Sequence, residues 1–166
     1  MKKHKLISLL IALLIVVSLY FIYQTQQTVL RIYNYQTGEI YVEVPAKAGD
    51  TLFFGWIHSW EKIPWGEYYH VAADHSLVLD KITFTAFGAG IPENKGKKVY
   101  VQAGIVYMEE INQVFTQFTW LNSHFAVRDI KLNGSLISAG YMLPDLTRVN
   151  LVVERRGFKA WKKVKN

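Results

Sequence analysis

The hydrophobic pattern of the chain changes abruptly near residue 24. Residues 6–23 form an apolar run in which only Ser8 and Ser18 are uncharged polar interruptions. As an α-helix this run would span about 27 Å, close to the roughly 30 Å hydrocarbon thickness of a bilayer. It therefore predicts one transmembrane helix that crosses the cytoplasmic membrane through residues 6–23.

The residues on either side of this run indicate its orientation. Lys2, Lys3 and Lys5 precede it, and basic residues favour the cytoplasmic side of a membrane. Residues 19–23 end it with aromatic side chains, which suit a membrane–water interface, and no small-residue cleavage pattern follows. We therefore expect an uncleaved, single-pass signal anchor with the N-terminus inside and residues 24–166 on the extracytoplasmic side.

From residue 28 the apolar and polar residues alternate in short segments, which is the period of a β-strand. Asn133-Gly134 lies between two such segments and predicts a tight hairpin, because both turn positions need positive φ. Thr37-Gly38 marks another turn, and residues 108–113 are expected to form one helical turn at most. The predicted strands comprise residues 29–33, 39–44, 51–57, 77–85, 98–101, 114–121, 125–132, 148–154 and 158–164.

This pattern predicts an all-β fold. Many short strands separated by turns are typical of an antiparallel β-sandwich or a partly open barrel. We expect it to be preceded by one N-terminal transmembrane helix, which divides the chain into a signal anchor at 1–23 and an extracytoplasmic β domain at 24–166.

Composition and charge exclude several classes of function. The chain has no cysteine, so disulfides, thiolate metal sites, a cysteine nucleophile and a lipoprotein signal are excluded. Of the net charge of +6, the lysines before the apolar run contribute +3 and residues 154–166 contribute +5, leaving −2 for residues 6–153. A body of that charge does not predict a nucleic-acid partner, and no motif indicates a cofactor.

Residues 56–70 resist a purely structural interpretation. An aromatic strand runs directly into His58, Ser59 and Glu61. If the strand persists, His58 and Trp60 lie on one face and Ser59 and Glu61 on the other. A nucleophile–base pair of His58 with Ser59 is then excluded, because their side chains point in opposite directions.

A proline after these residues predicts a hairpin. Pro64 is expected to end the strand, and Glu67 to start the returning one. That arrangement would bring Glu61 and Glu67 near each other at one end of the hairpin, with His58 two or three pairs back.

Four interpretations of this segment stay open. It could be a hydrogen-bonded structural corner or a rim that binds a small ligand or peptide. It could also be a metal site built from His58, Glu61 and Glu67, although no tight ligand spacing such as H-E-x-x-H is present. Hydrolytic catalysis would require a distant histidine, and the G-x-S-x-G elbow is absent.

A second unusual segment follows the strand predicted at 77–85. Gly88 and Gly90 flank an alanine ahead of Pro92. Glycines in this position indicate a bulge or tight bend, or a close backbone approach to a neighbouring strand or a ligand. A phosphate loop is not favoured, because no helix follows.

The two segments together resemble a known family. His58-Ser59-Trp60-Glu61-x-x-Pro64-x-x-Glu67, followed by a strand and Gly88-Ala89-Gly90-Ile91-Pro92, is similar to the pattern of the small exported family catalogued as domain of unknown function 1850. The resemblance covers roughly residues 52–153. One departure is Trp60, where the family more often has valine.

The resemblance implies an all-β extracytoplasmic domain, and also a setting. Members are commonly encoded near TRAP-type transporters of the TAXI group, which import small organic acids. We therefore expect a non-enzymatic accessory or ligand-binding module that works with TRAP transporter subunits and contacts a partner or a small carboxylate. The motif marks His58, Ser59, Glu61, Glu67, Gly88, Gly90 and Pro92 as candidate ligand- or partner-binding residues. A metal-assisted hydrolase using His58, Glu61 and Glu67, or a purely structural envelope protein, remains an alternative.

Overall fold

A computed structural model describes residues 2–86 and 95–157 of the chain. The apolar run forms helix α1, Lys2–Gln26. Its stretch Ile7–Gln24 is long and apolar enough to cross a membrane, as the sequence predicts. The orientation expected from the basic residues before it, and the domain boundary at residue 23, stay predictions.

The rest of the described chain is almost entirely β-structure. A short 3₁₀ helix, Gly140–Met142, interrupts it late in the chain. The strands are β1 (Thr28–Asn34), β2 (Ile40–Pro45), β3 (Thr51–Ile57), β4 (Pro64–Val71), β5 (Leu77–Phe84), β6 (Lys98–Gln102), β7 (Ile105–Phe115), β8 (Phe118–Leu121), β9 (Val127–Leu132), β10 (Ser135–Ala139) and β11 (Arg148–Arg155).

These strands form two sheets, which confirms the predicted all-β sandwich preceded by one helix. One sheet has four strands in the order β2-β1-β11-β8, and the other has seven in the order β10-β9-β3-β4-β5-β7-β6. The seven-stranded sheet is antiparallel throughout. The Asn133-Gly134 hairpin is also confirmed, since both residues have positive φ between β9 and β10.

The hydrophobic core lies between the two sheets. Leu30 and Leu151 of the four-stranded sheet and Ile130 of the other are fully buried. Phe54 on β3 meets Phe118 on β8, with ring centroids 4.9 Å apart and the planes nearly perpendicular. Such edge-to-face contacts add about 0.5–1.5 kcal/mol each beyond the area that they bury, so the middle of β3 is held firmly against the opposite sheet.

One prediction about the chain between residues 108 and 121, a single strand at 114–121, was wrong, and a strand covers the residues where one helical turn at most was expected. Residues 108–113 belong to strand β7 rather than to a helical turn, because Met108 points into the core and Glu109 pairs with β5 and β6 on its two sides. The polar stretch that suggested a helical turn is a bulge, in which residues 110–112 lie opposite the single residue Asp80. The predicted strand 114–121 is two strands, since the chain leaves β7 after Phe115 and enters the other sheet as β8.

The predicted strand 158–164 lies outside the described residues.

Candidate functional site

The first candidate segment forms the tip of the β3–β4 hairpin. Ile57 pairs with Pro64, and the next pair is closed by the His58 N–H, which donates to the Ile63 carbonyl at 2.9 Å. The Lys62 N–H donates to the His58 carbonyl at 2.9 Å, and Lys62 adopts a positive φ of 57°. Residues 59–62 are therefore a tight four-residue turn.

This register corrects the expected hairpin geometry. β3 ends at Ile57 and Pro64 begins β4, because proline is tolerated as the first residue of a strand. Glu67 therefore lies opposite Phe54, inside the paired region, whereas Glu61 lies in the turn. The two carboxylates occupy different parts of the hairpin, and His58, rather than Glu67, adjoins the closing end.

The His58 side chain holds the turn. Its Nδ1 accepts a hydrogen bond from the Glu61 N–H at 3.3 Å, so in the neutral ring the proton lies on Nε2. The ring packs beside two indoles, with centroids 5.6 Å from Trp56 and 5.9 Å from Trp65. The turn is thus fixed by backbone bonds, by a side-chain acceptor and by aromatic packing.

Glu67 lies on the inner face of β4, in line with the buried residues Trp65 and Tyr69. Its carboxylate accepts hydrogen bonds from the Tyr69 hydroxyl at 2.5 Å and from the Trp56 indole N–H at 3.3 Å. Trp56 contacts both Glu67 and His58, and so links the carboxylate to the turn.

Burial raises the pKa of Glu67 above its ordinary value, and the hydrogen bonds from Tyr69 and Trp56 only partly oppose this. The Trp65 indole N–H also lowers the pKa of Glu67, although it makes no hydrogen bond of ordinary geometry. Desolvation and the nearby Glu67 raise the pKa of Tyr69, so its hydroxyl stays protonated and donates. Glu67 is therefore a desolvated acceptor that orients the side chains of Trp56 and Tyr69.

The aromatic side chains around Glu67 form a cluster that extends toward the second candidate segment. Trp56 and Trp65 lie 5.4 Å apart, and Trp65 stacks on Phe84 of β5 at 4.8 Å. Lys95 lowers the pKa of Glu67 through its positive charge, and its N–H donates to the Met108 sulfur at 3.3 Å. Described residues on both sides of the Gly88–Pro92 motif thus lie around the same cluster, while Gly88, Gly90 and Pro92 themselves lie outside the described residues.

The chemistry available to this arrangement is limited. Ser59 is exposed in the turn, while the His58 Nδ1 is engaged by the Glu61 N–H. Among residues 2–86 and 95–157, no three His, Asp or Glu side chains converge in a way that could hold a metal ion. The geometry of the described residues is that of a braced turn.

The apex of this turn is apolar and open to solvent. Trp60 is 77 % exposed, and its neighbours Ser59 and Lys62 are exposed as well. A large indole held in water on a rigid support is uncommon, since Trp is usually at least partly covered. The turn therefore presents Trp60 outward, while Glu67 and Trp56 brace it from the inner side.

Sequence reasoning missed three residues of this region. Trp56 and Tyr69 are the hydrogen-bond donors to Glu67, and the alternation Trp65-x-Glu67-x-Tyr69 could have indicated a carboxylate facing inward among aromatic residues. Asn122 was also missed. It is fully buried, and its amide nitrogen donates to the carbonyls of Gly140, Leu143 and Pro144. No local sequence signal marks it.

Comparison with known proteins places the chain in a family. No curated protein and no solved structure matches it significantly. The model of the family described as domain of unknown function (DUF1850) matches residues 52–138, which is more than half of the chain and includes the β3–β4 hairpin from Leu52 onward. The chain therefore belongs to the DUF1850 family.

Proposed function

We propose that this protein is a membrane-anchored, non-enzymatic binding module that acts on the extracytoplasmic side as an accessory of a TRAP-type organic-acid transporter. The anchor is α1, and the contact is made by the β3–β4 turn. The TRAP setting comes from the family resemblance, and the contact comes from the geometry of the turn.

One observation carries the proposal: Trp60 is 77 % exposed at the apex of a turn whose shape is fixed from within. Tryptophan is the residue most enriched among those that dominate protein interfaces. Its presentation on a preorganised turn reduces the entropy lost on association. A protruding side chain suits a macromolecular partner better than a small carboxylate, which needs a concave site.

The motif residues then divide into two roles. His58 and Glu67 are positioning residues, because they act through the turn and through Trp56. Ser59, Trp60 and Lys62 face the partner, since they are exposed. Glu61 belongs to the support, because its N–H closes the hydrogen bond to His58.

The test is co-purification of transporter membrane subunits with the tagged full chain after mild crosslinking in membranes. Trp60→Ala should reduce their yield roughly thirtyfold or more, as expected for an interface residue worth at least about 2 kcal/mol. Leu136→Ala is the matched control, because Leu136 is an exposed apolar residue on β10, and it should leave the yield unchanged. Failure of the wild-type chain to enrich any transporter subunit would refute the proposal.

A second pair of variants tests the division of roles. His58→Asn keeps a side-chain acceptor that can bond an N–H a few residues later, so it should retain most of the binding. His58→Ala removes that acceptor and should weaken binding without changing Trp60. Equal yields from His58→Ala and the wild type would show that the turn needs no support from His58.

A further inference from the structure

Three loops meet at the end of the sandwich where the β3–β4 turn lies. The Ile57 N–H donates to the Ala126 carbonyl at 2.7 Å, which places the loop before β9 beside the turn. The Leu146 N–H donates to the Asn122 carbonyl at 3.0 Å, which places the loop before β11 beside that same segment. Residues 58–63, 122–126 and 140–147 therefore form one continuous surface, here termed the loop surface.

The loop surface exposes large apolar side chains from every one of its loops. Phe125 is 87 % exposed, Leu146 is 75 % and Tyr141 is 70 %, alongside Trp60 from the turn. Met142 is exposed as well. Isolated exposed apolar residues are ordinary, whereas several grouped on one surface mark an interaction site.

These side chains are carried on loops that hydrogen bonds tie together. The fully buried Asn122 joins its own segment to residues 140–147 through three backbone carbonyls, and the Asp145 carboxylate accepts from the His124 N–H at 3.0 Å. Gly140 lies so close to the same segment that an added Cβ would sit 2.4 Å from the Val127 carbonyl oxygen. The backbones that carry Phe125, Tyr141 and Leu146 are therefore held relative to one another before any partner arrives.

Basic side chains outnumber acidic ones on these loops and on the strand ends that adjoin them. Lys62, Arg128 and Arg148 are exposed, against the exposed Asp145 and the partly buried Glu61. An apolar centre with a polar rim is the usual anatomy of a protein interface, and the sign of the rim selects the partner. The charges on this rim match a surface that carries carboxylates.

We infer that the loop surface is a docking site for a protein that presents an apolar groove bordered by Asp and Glu side chains. This inference rests on the proposed function for the contribution of Trp60, and extends the contact to Phe125, Tyr141 and Leu146. A protein occupant is favoured over lipid because the loops that carry the apolar side chains are tied to one another by hydrogen bonds. Preorganisation strengthens binding to a shaped surface, whereas a fluid bilayer has no shape to match.

The test is site-specific photo-crosslinking of the full chain in its membrane. A diazirine-bearing aliphatic residue replaces, one at a time, Trp60, Phe125, Leu146 and the control Val114. Val114 is apolar and 60 % exposed, and it pairs with Val78 at the end of the seven-stranded sheet away from the turn. We expect the first three positions to give one adduct of the same mass and Val114 to give none. Mass spectrometry should place the link in a partner peptide that contains apolar and acidic residues.

Charge reversal supplies a second measurement. Arg128→Glu should lower the adduct yield from position 125 about tenfold, since like charges would then face each other across the rim. An unchanged yield would overturn the carboxylate rim. Lipid adducts, adducts between two copies of this chain, or no adduct at positions 125 and 146 would overturn the docking site.

The outcomes separate this inference from the proposed function. A transporter subunit crosslinked from position 60 alone would leave the proposed function standing and remove the wider surface. A shared acidic partner at positions 60, 125 and 146 that is not a transporter subunit would support the wider surface and refute the proposed function.

Discussion

The hydrogen-bond arrangement around Asn122 gives the most specific prediction about the loop surface. Asn122→Ala removes an amide whose two N–H hydrogens serve the carbonyls of Gly140, Leu143 and Pro144, at 3.0, 3.3 and 3.0 Å. It also removes the acceptor of the Trp120 indole N–H at 3.4 Å. The backbone of residue 122 would keep its own bonds to Leu146 and Thr147.

The expected loss follows from these bonds. Each net hydrogen bond contributes about 0.5–1.5 kcal/mol, and a buried polar group left unpaired adds about 1–3 kcal/mol. Two amide hydrogens removed from a fully buried site therefore predict a loss of about 3 kcal/mol in the free energy of unfolding. Because small domains are stable by only about 5–15 kcal/mol, this loss should be easy to measure.

Chemical unfolding of the full chain in mild detergent, followed by tryptophan fluorescence, is the assay. Asn150→Ala is the matched control, because Asn150 is equally buried but bonds two hydroxyls, those of Tyr33 and Thr119. Hydroxyl groups can rotate toward other partners, whereas backbone carbonyls cannot, so the control should lose about 1–2 kcal/mol. A loss at Asn122 no greater than that at Asn150 would refute the reasoning. The Asn122→Ala variant should also be cleaved faster by protease within residues 140–147, because this loop loses its hydrogen bonds to the Asn122 side chain.

Two further outcomes concern Glu67 and Gly96. Burial holds the pKa of Glu67 above its ordinary value of 4.5, so the native state binds this proton more tightly than the unfolded chain, and stability falls as pH rises from 4.5 through the native pKa. Glu67→Gln should remove that fall in stability. Unfolding measured at about pH 4 and about pH 8 should show that the wild type loses more stability between the two than the variant does. Equal losses would contradict the raised pKa of Glu67. At Gly96, φ is +91° and an added Cβ would lie 2.3 Å from the Glu109 carbonyl oxygen, so Gly96→Ala should cost about 3 kcal/mol or more. Gly104→Ala, at φ +77° with nothing within 4 Å, should cost about 1–2 kcal/mol; matching denaturation midpoints would show that Gly96 can move away from Glu109.

Alternation predicted most of the strands because each sheet has one buried face. β5 shows this on either side of its bulge at Asp80, since Leu77 and Leu79, and then Ile82 and Phe84, are buried and the residues between them are not. The prediction failed at β7 and β8, where one strand was predicted over residues 114–121 although the polar pair Thr116-Gln117 interrupts the alternation. The change of sheet after Phe115 is a tertiary event, and a period of two residues does not record which sheet a strand joins.

The candidate hairpin was predicted as a feature but not in its register. Pro64 could either end one strand or begin the next, and the choice decides whether Glu67 lies at a hairpin end or inside the paired region. The hydrogen bonds around His58 show that Pro64 begins the next strand, because they close the turn at residues 58 and 63. Asn122 could not have been found in the same way, since its partners are 18 to 22 residues away in sequence.

The position of Trp60 joins the family motif to the proposed surface. The polar residues of the motif, His58 and Glu67, hold the turn and its aromatic brace from within. The residue that they hold outward, Trp60, is apolar and 77 % exposed. A motif whose polar residues support an apolar apex favours the contact that we propose for this turn. The size of the indole at residue 60 then sets how deep a groove the partner must present.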